Sequence, residues 1–155
     1  DSEGKIGDSK KPSLLLVQNA VRGALGIESF ACTYPSVETP DGSPVRDYVD
    51  VEDLVEAHIQ ALTYLDNGGK NDVFNIGTGK GSSVLEVVQA VEKELRVVLP
   101  RMKGKERKGE YAKVFADNSK VKSVLGWEPK TSLEKSIQKL ATWYRSHPEG
   151  YVENK

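Results

Sequence analysis

Apolar side chains recur every three or four residues in five stretches of this chain, which is the spacing of one face of an α-helix. Three of the stretches follow a residue suited to a helix N-cap, namely Asp50, Ser82 or Ser83, and Thr131. After Asp50 the apolar stripe contains Val51, Leu54, Val55, His58, Leu62 and Leu65. The spacing predicts helices over residues 12–26, 51–65, 84–96, 118–125 and 132–147.

Short runs that alternate or are rich in β-branched residues lie between these helices and predict strands. They are ESFAC (28–32), VRDYVDV (45–51), NDVFNIG (71–77), VVLP (97–100) and AKVFAD (112–117). The segment YPSVETPDGSP is instead a loop, because Asp41-Gly42 and three prolines interrupt it. We therefore predict a small mixed α/β domain over residues 12–151, preceded by a loop at 1–11 and followed by a tail at 152–155.

Composition narrows the class of function. The 155 residues carry a formal net charge of −1, which gives no basic surface for nucleic acid. Cys32 is the single cysteine, so we expect no internal disulfide and a reducing, cytoplasmic compartment. No apolar run reaches the roughly 18 residues of a membrane span. The polar opening DSEGKIGDSKKP is not a signal peptide and has no initiator methionine, which is typical of the middle of a longer protein.

The segment GTGKGSS, residues 77–83, has two interpretations. A glycine-rich turn before a helix can hold a phosphate. However, Ser82 stands where the dinucleotide-binding fingerprint needs glycine, and Gly81 follows Lys80 where the Walker sequence needs Ser or Thr. We therefore favour a tight strand-to-helix turn. With one cysteine and two distant histidines we predict no metal site, and we expect His58, on the apolar stripe, in the core.

Two arginines are the strongest candidates for binding an anion. Arg46 and Tyr48 stand at the end of a predicted strand, in front of a helix. Arg107 lies in the charged segment KGKERKGEY, and its planar guanidinium matches a diphosphate bidentately. Two separated arginines suit a pyrophosphate between two sugars. The alternatives are that Arg46 forms a salt bridge with a neighbouring carboxylate and that the charged segment is a solvated loop.

Four segments carry most of the remaining information: SPVRDYVDVEDLVEAHIQAL, VFNIGTGKGSSVLEVV, ERKGEYAKVFADNSKVKSVLGWEPKTSLEKSI and WYRSHPEGY. In this order and spacing they resemble the C-terminal half of the UDP-glucose 4-epimerase family of extended short-chain dehydrogenase/reductases. The resemblance implies an enzyme with two parts, a Rossmann domain that holds NAD and a smaller part that binds a UDP-sugar. The chain has no glycine fingerprint of this kind near its start and no Tyr followed four residues later by Lys in a suitable helix, so the resemblance implies no catalytic residue here and an inactive isolated chain.

The resemblance also assigns roles to residues that face the nucleotide. It places Arg46 and Arg107 on the diphosphate, Phe30 against uracil, Tyr48 near the nucleotide and Val84 in the wall of the uridine pocket. These five positions imply that the chain supplies binding and orientation rather than proton or hydride transfer.

Three further positions concern the ribose, the sugar and a polar contact. Glu110 stands where relatives have a carboxylate that reaches a ribose hydroxyl, and Lys11 where they often have a ligand-contacting Asn. Val114 stands at the sugar end of the pocket, where a small side chain implies room for an N-acetyl group.

The implied activity is NAD-dependent interconversion of UDP-glucose and UDP-galactose by epimerisation at C4. The implied partners are the UDP-sugar, the Rossmann domain of the same enzyme and a second copy in a homodimer. Two alternatives stay open: a non-catalytic nucleotide-sugar-binding module, and another UDP-sugar-modifying member of the superfamily, such as a UDP-arabinose or UDP-xylose 4-epimerase, a decarboxylase or a dehydratase.

Overall fold

The computed structural model describes residues 15–151, and these residues form the mixed α/β domain that the sequence predicts. The helices in this range are α1 (Leu16–Ala24), α2 (Val51–Asp66), α3 (Val84–Leu95), α4 (Ser119–Leu125) and α5 (Leu133–Ser146). The strands are β1 (Cys32–Tyr34), β2 (Val45–Arg46), β3 (Ser82–Ser83) and β4 (Arg101–Lys103). Within the same range, no helix has both the length and the apolar character needed to cross a membrane.

Side-chain caps explain why α2 and α3 begin where the sequence predicts. The Asp50 carboxylate accepts a hydrogen bond from the Glu52 N–H at 3.0 Å. Ser83 Oγ accepts from the Glu86 N–H at 3.0 Å, and the Glu86 carboxylate accepts from the Ser83 N–H at 2.7 Å. This reciprocal pair satisfies two backbone donors that a helix start leaves without a partner.

The predicted N-cap of α5 is wrong by one residue. Ser132, not Thr131, accepts the backbone hydrogen bond of the first turn, at 3.3 Å. The Thr131 N–H donates instead to the carboxylate of Asp53 at 2.8 Å. Both residues suit a cap, and a contact with a distant part of the chain decides between them.

Two predicted strands are displaced along the chain. β1 contains only the last residue of the predicted strand 28–32, and β4 begins directly after the predicted strand 97–100. β1 and β4 pair in parallel, with Cys32 opposite Arg101. The sequence predicts that each region is extended, but the backbone pairing decides which residues become the strand.

The other three predicted strands are shortened or not formed. β2 covers two residues of the predicted strand 45–51 and pairs antiparallel with β3. Residues 112–117 contribute one bridge, between Val45 and Lys113. Residues 71–77 are not a strand. Within the described range, no backbone hydrogen bond forms at Phe74, Asn75 or Ile76, so this segment has no neighbouring strand to pair with.

Two groups of buried side chains hold the helices together. The first core cluster lies between α1, α3 and α5, and it includes the buried residues Val21, Cys32, Val88, Val91, Ile137 and Tyr144. The second core cluster joins α2 to α4 through Ala57, Val121 and Trp127. The Trp127 indole N–H donates to the Asp53 carbonyl at 2.9 Å. The first cluster thus packs α1, α3 and α5 together, and the second packs α2 against α4.

The apolar stripe predicted on α2 is largely on the surface. α2 buries Asp53 and Ala57, whereas Val51, Val55, Ile59, Leu62 and Leu65 are all exposed; we call these five residues the α2 apolar face. The expected core position of His58 is therefore wrong. His58 is exposed, and its Nδ1 lies 2.8 Å from the Leu54 carbonyl oxygen.

Candidate functional site

The two-residue strand β2 is the centre of the candidate site. The Val45 N–H donates to the Ala112 carbonyl at 2.8 Å, and the Val114 N–H donates to the Val45 carbonyl at 3.0 Å. On the other side, the Val84 N–H donates to the Pro44 carbonyl at 2.9 Å. β2 therefore lies between the start of α3 and residues 110–114, and it brings together segments that are far apart in sequence.

Arg46 is held by the segment that carries Glu110. Its Nη1 donates to the Val45 carbonyl at 2.7 Å and to the Tyr111 carbonyl at 3.0 Å, while Nη2 forms an ion pair with the Glu110 carboxylate. The side chains of Arg46 and Glu110 are 32% and 20% exposed. The structure thus forms the salt bridge that the sequence left as an alternative, and both side chains of the pair stay partly exposed.

Arg107 lies in the turn that precedes Glu110. The Glu110 N–H donates to the Arg107 carbonyl at 3.1 Å, and Gly109 has φ +81°. The Arg107 side chain is exposed and makes neither a hydrogen bond nor an ion pair with residues 15–151. The same turn therefore carries the exposed guanidinium of Arg107 and the carboxylate of Glu110, which forms the ion pair with Arg46.

Tyr48 and Val84 border this region from the protein side. Tyr48 is partly buried, and burial raises the pKa of its hydroxyl, although the charge of Arg46 acts in the opposite direction. Val84 is the first residue of α3 and packs against the first core cluster. Both side chains are therefore partly buried close to β2.

The remaining predicted site residues lie in three different situations. Val114 is 49% exposed beside β2. Phe30 packs against the first core cluster, and its Cβ lies only 2.3 Å from the position that a Cβ on Gly23 would take. Lys11 lies outside the described residues. The structure thus groups Val114 with Arg46 and holds Phe30 in place through close packing on α1.

Asp47 is not among the residues predicted from the sequence, yet its carboxylate joins three segments. Its Oδ1 accepts from the Thr78 N–H at 2.9 Å and the Thr78 hydroxyl at 2.5 Å. Its Oδ2 accepts from the N–H groups of Gly79 at 3.2 Å and Ala116 at 3.1 Å. Burial alone would raise the pKa of Asp47, but these hydrogen bonds outweigh it and lower the pKa below the ordinary value. An acidic residue directly after a candidate anion-binding arginine was the available signal.

The glycine-rich segment 77–83 bends before α3, in agreement with the predicted turn, but residues 71–77 in front of it are not a strand. Gly79 has φ +69°, a conformation that other residues adopt with strain. The N–H groups of Thr78 and Gly79 donate hydrogen bonds to the Asp47 carboxylate. A carboxylate of the protein therefore already takes the place that a phosphate would need. Within residues 15–151, no group of three or more His, Cys, Asp or Glu side chains is arranged to hold a metal ion.

Sequence comparisons find relatives along the whole chain. The model of the GDP-mannose 4,6 dehydratase family matches residues 26–140. The UDP-glucose 4-epimerase of Lactobacillus helveticus is 39% identical over 154 residues, which cover 98% of this chain and 47% of that protein. The probable UDP-arabinose 4-epimerase 1 of Oryza sativa subsp. japonica is 40% identical, over 97% of this chain and 37% of that protein.

Solved structures give the same result for the fold. A crystal structure of a UDP-glucose 4-epimerase matches 99% of this chain with a TM-score of 0.91 at 35% identity, over 47% of that protein. The UDP-glucose 4-epimerase of Bifidobacterium longum, solved in complex with NAD+ and UDP, matches 97% of this chain with a TM-score of 0.84 at 31% identity, over 45% of that protein. This chain spans about half the length of these proteins or less.

Proposed function

This chain belongs to the GDP-mannose 4,6 dehydratase family, and from that premise we propose that it is the UDP-sugar-binding, C-terminal part of an NAD-dependent UDP-sugar 4-epimerase. Its relatives are named as UDP-glucose and UDP-arabinose 4-epimerases. The observation that carries the proposal is the contact of Arg46 with the turn that contains Arg107 and Glu110. This contact links Arg46 to the turn that carries Arg107, which supports a joint role of the two arginines in binding a diphosphate.

The Arg46–Glu110 ion pair prepares the site for a nucleotide diphosphate. Glu110 holds the guanidinium of Arg46 in a defined orientation, which lowers the entropy lost when an anion binds. The diphosphate then accepts bidentate hydrogen bonds from the planar guanidinium of Arg46, while Arg107 binds it from the other side. Glu110 then accepts a hydrogen bond from a ribose hydroxyl. Phe30, Tyr48 and Val84 are our candidates for contacts with the uridine.

NAD binds outside this chain in our proposal. The described residues do not fit a dinucleotide, because the N–H groups of Thr78 and Gly79 in the glycine-rich turn already donate hydrogen bonds to Asp47. NAD supplies the hydride chemistry at C4 from the Rossmann part of the enzyme. The chain itself holds the UDP-sugar, so turnover requires both parts. The expected homodimer and the cytoplasmic location stay predictions.

The α2 apolar face is the surface on which we place the Rossmann part. Val73 lies on the loop after α2 and is 80% exposed. The backbone groups of Phe74, Asn75 and Ile76 make no backbone hydrogen bond with residues 15–151, so they are able to pair with a strand of another part of the enzyme. Apolar side chains beside unpaired backbone groups suit a β-sheet partner, since such a partner satisfies both at once.

UDP titration of the 155-residue chain tests the binding half of the proposal. Isothermal calorimetry is expected to show UDP binding, with weaker binding of uridine and of ADP as controls for the diphosphate and the base. A folded chain that binds neither UDP nor UDP-glucose at millimolar concentration would overturn the proposal.

An activity assay tests the other half. The protein that contains this chain is expected to interconvert UDP-glucose and UDP-galactose with NAD, whereas the 155-residue chain is expected to show no turnover. Turnover of the isolated chain above background would show that the catalytic residues lie within it.

The second candidate substrate is a UDP-pentose. A relative named as a probable UDP-arabinose 4-epimerase is 40% identical, and the half-exposed Val114 gives the sugar end no bulky side chain. Comparing UDP-arabinose with UDP-galactose in the same assay decides between the two sugars.

A further inference from the structure

The carboxylate of Asp47 occupies the point where three separate segments meet. It accepts four hydrogen bonds, two from Thr78 and one each from Gly79 and Ala116. We call this group of contacts the Asp47 junction. The residues it joins are 31 to 69 positions away in sequence, so the carboxylate links segments that are distant along the chain.

Gly77 shows how closely the segments approach. A Cβ on Gly77 would lie 2.4 Å from Asp47 Oδ2 and 2.7 Å from the Cβ of Ala116. Only a residue without a side chain fits between the Asp47 carboxylate and residue 116. The junction is therefore packed as well as hydrogen-bonded, which fixes its geometry.

The junction continues directly into the candidate site. Arg46 precedes Asp47 in sequence; it donates to the Tyr111 carbonyl and forms an ion pair with Glu110. Asp47 accepts a hydrogen bond from the Ala116 N–H. Between these two points, Val45 bonds to residues 112 and 114. Residues 45–47 thus fix the register of residues 110–116 at three successive places.

We infer that Asp47 is a positioning residue for UDP-sugar binding, because it fixes the segment that carries Glu110 and Val114 against Arg46. The inference rests on the proposed function. Both carboxylate oxygens of Asp47 are occupied by protein donors, so Asp47 itself is not proposed to contact the ligand. Its effect on the nucleotide passes through the orientation of Arg46, and it therefore concerns the diphosphate more than the base. The lowered pKa keeps the carboxylate ionised at neutral pH, so both oxygens accept hydrogen bonds.

Asp47→Asn tests this role, with Asp53→Asn as the matched control. An amide has one acceptor oxygen, so its NH2 group would face either the Thr78 donors or the Gly79 and Ala116 donors. Asp53 likewise accepts from backbone donors, the N–H groups of Lys130 at 2.9 Å and Thr131 at 2.8 Å; it is buried, whereas Asp47 is partly buried. Both substitutions therefore disrupt a carboxylate that joins distant segments, but only Asp47 adjoins Arg46.

The first measurement is UDP and uridine affinity of the 155-residue variants by calorimetry. Asp47→Asn is expected to weaken UDP binding by about tenfold, the value of roughly one charge-assisted hydrogen bond, and to change uridine binding little. Asp53→Asn is expected to leave both affinities within about twofold of wild type, as for a substitution without a shared partner. If Asp47→Asn does not fold, Thr78→Val replaces it in this test. Thr78→Val removes one hydrogen-bond donor and keeps the side-chain shape, and it is expected to weaken UDP binding by a smaller factor.

The second measurement needs no ligand. Amide hydrogen exchange at residues 78, 79 and 116 is expected to become faster in Asp47→Asn and to stay unchanged in Asp53→Asn. Unchanged UDP affinity together with faster exchange at these amides would overturn the positioning role alone. If wild type does not bind UDP, the proposed function fails together with this role, whereas the exchange result still reports whether the junction exists. Equal losses of UDP and uridine affinity in Asp47→Asn would assign Asp47 a general structural role instead.

Discussion

The two sides of this domain differ in how completely residues 15–151 cover their apolar surfaces. On the side formed by α1, α3 and α5, the side chains of Ile137 and Val91 are fully buried. On the side formed by α2, Leu62 is 62% exposed although it lies in a similar helical stripe. An apolar stripe at helical spacing thus predicts the helix, but not whether residues of the same chain bury that stripe. We refer to these as the closed side and the open side.

The largest expected difference concerns stability. Ile137→Ala is expected to lower the free energy of unfolding by about 2–5 kcal/mol, because it removes buried methyl groups and leaves a cavity. Leu62→Ala is expected to change it by less than about 0.5 kcal/mol, as for most surface substitutions. Urea unfolding of both variants of the 155-residue chain measures the two values.

Self-association is the control for that comparison. The α2 apolar face is expected to make the isolated chain dimeric or poorly soluble, and Leu62→Ala should weaken this association. If Leu62→Ala costs as much as Ile137→Ala even at low protein concentration, where light scattering shows a monomer, then the two sides do not differ as described.

The next effect concerns the nucleotide. Arg46→Ala and Arg107→Ala are each expected to weaken UDP binding by about 1.5–3 kcal/mol, the range for charge-assisted hydrogen bonds. Arg46→Lys should also weaken it, because an ammonium group lacks the planar fork. Arg145→Ala, an exposed arginine in the last turn of α5 on the closed side, serves as the control. If calorimetry gives wild-type UDP affinity for both Ala variants, then Arg46 and Arg107 have a structural role and do not bind the nucleotide.

A smaller effect is expected at the sugar end of the site. Val114 is half-exposed beside β2, so we predict that the enzyme containing this chain accepts UDP-N-acetylglucosamine as well as UDP-glucose. Val114→Tyr should lower kcat/KM for the N-acetylated sugar by roughly tenfold, since a phenol would occupy the space of the acetamido group. A wild type that ignores this sugar, or a Tyr variant with unchanged preference, would show that another residue sets the specificity.

The smallest effect concerns the joint between the two sides. Asp50, at the start of α2, bonds to Ser136 and Lys139 of α5. Burial alone would raise its pKa, but hydrogen bonds from Ser136, from the Glu52 N–H and from Lys139 lower it below the ordinary value. The stabilisation is therefore fully present above the unfolded pKa of about 3.9 and is lost as pH falls through the lower folded pKa.

Unfolding measured from pH 6 to pH 2 tests this dependence. Asp50→Asn is expected to lower stability at pH 6 and to show a shallower fall towards acid than wild type. Parallel curves for the two proteins would mean that other carboxylates account for the acid sensitivity.

The features that the sequence predicts well are local. Asp50 and Ser83 cap helices through bonds two and three residues away, so the helix starts follow from a short stretch of sequence. The strands do not, because β1 pairs with a segment that lies 69 residues further along the chain. Residues 71–77 are extended in composition but find no strand to pair with among residues 15–151.

The candidate site shows the same limit. The two arginines and Glu110 follow from their chemistry and from the family resemblance, but their roles as ligands stay predictions. The ion pair between Arg46 and Glu110 joins residues 64 positions apart, and the sequence offered no way to choose this carboxylate among its neighbours. Asp47 was missed for the same reason, since all of its partners are distant.

Cys32 gives the closed side an internal reporter. It is 2% exposed in β1, and burial raises the pKa of its thiol, so the folded protein suppresses both access and the reactive thiolate. Since it is the single cysteine of the chain, a thiol reagent modifies the protein only at this position and only after the first core cluster opens. The rate of modification under native conditions therefore reads out how often this core opens, without denaturant and without a mutation.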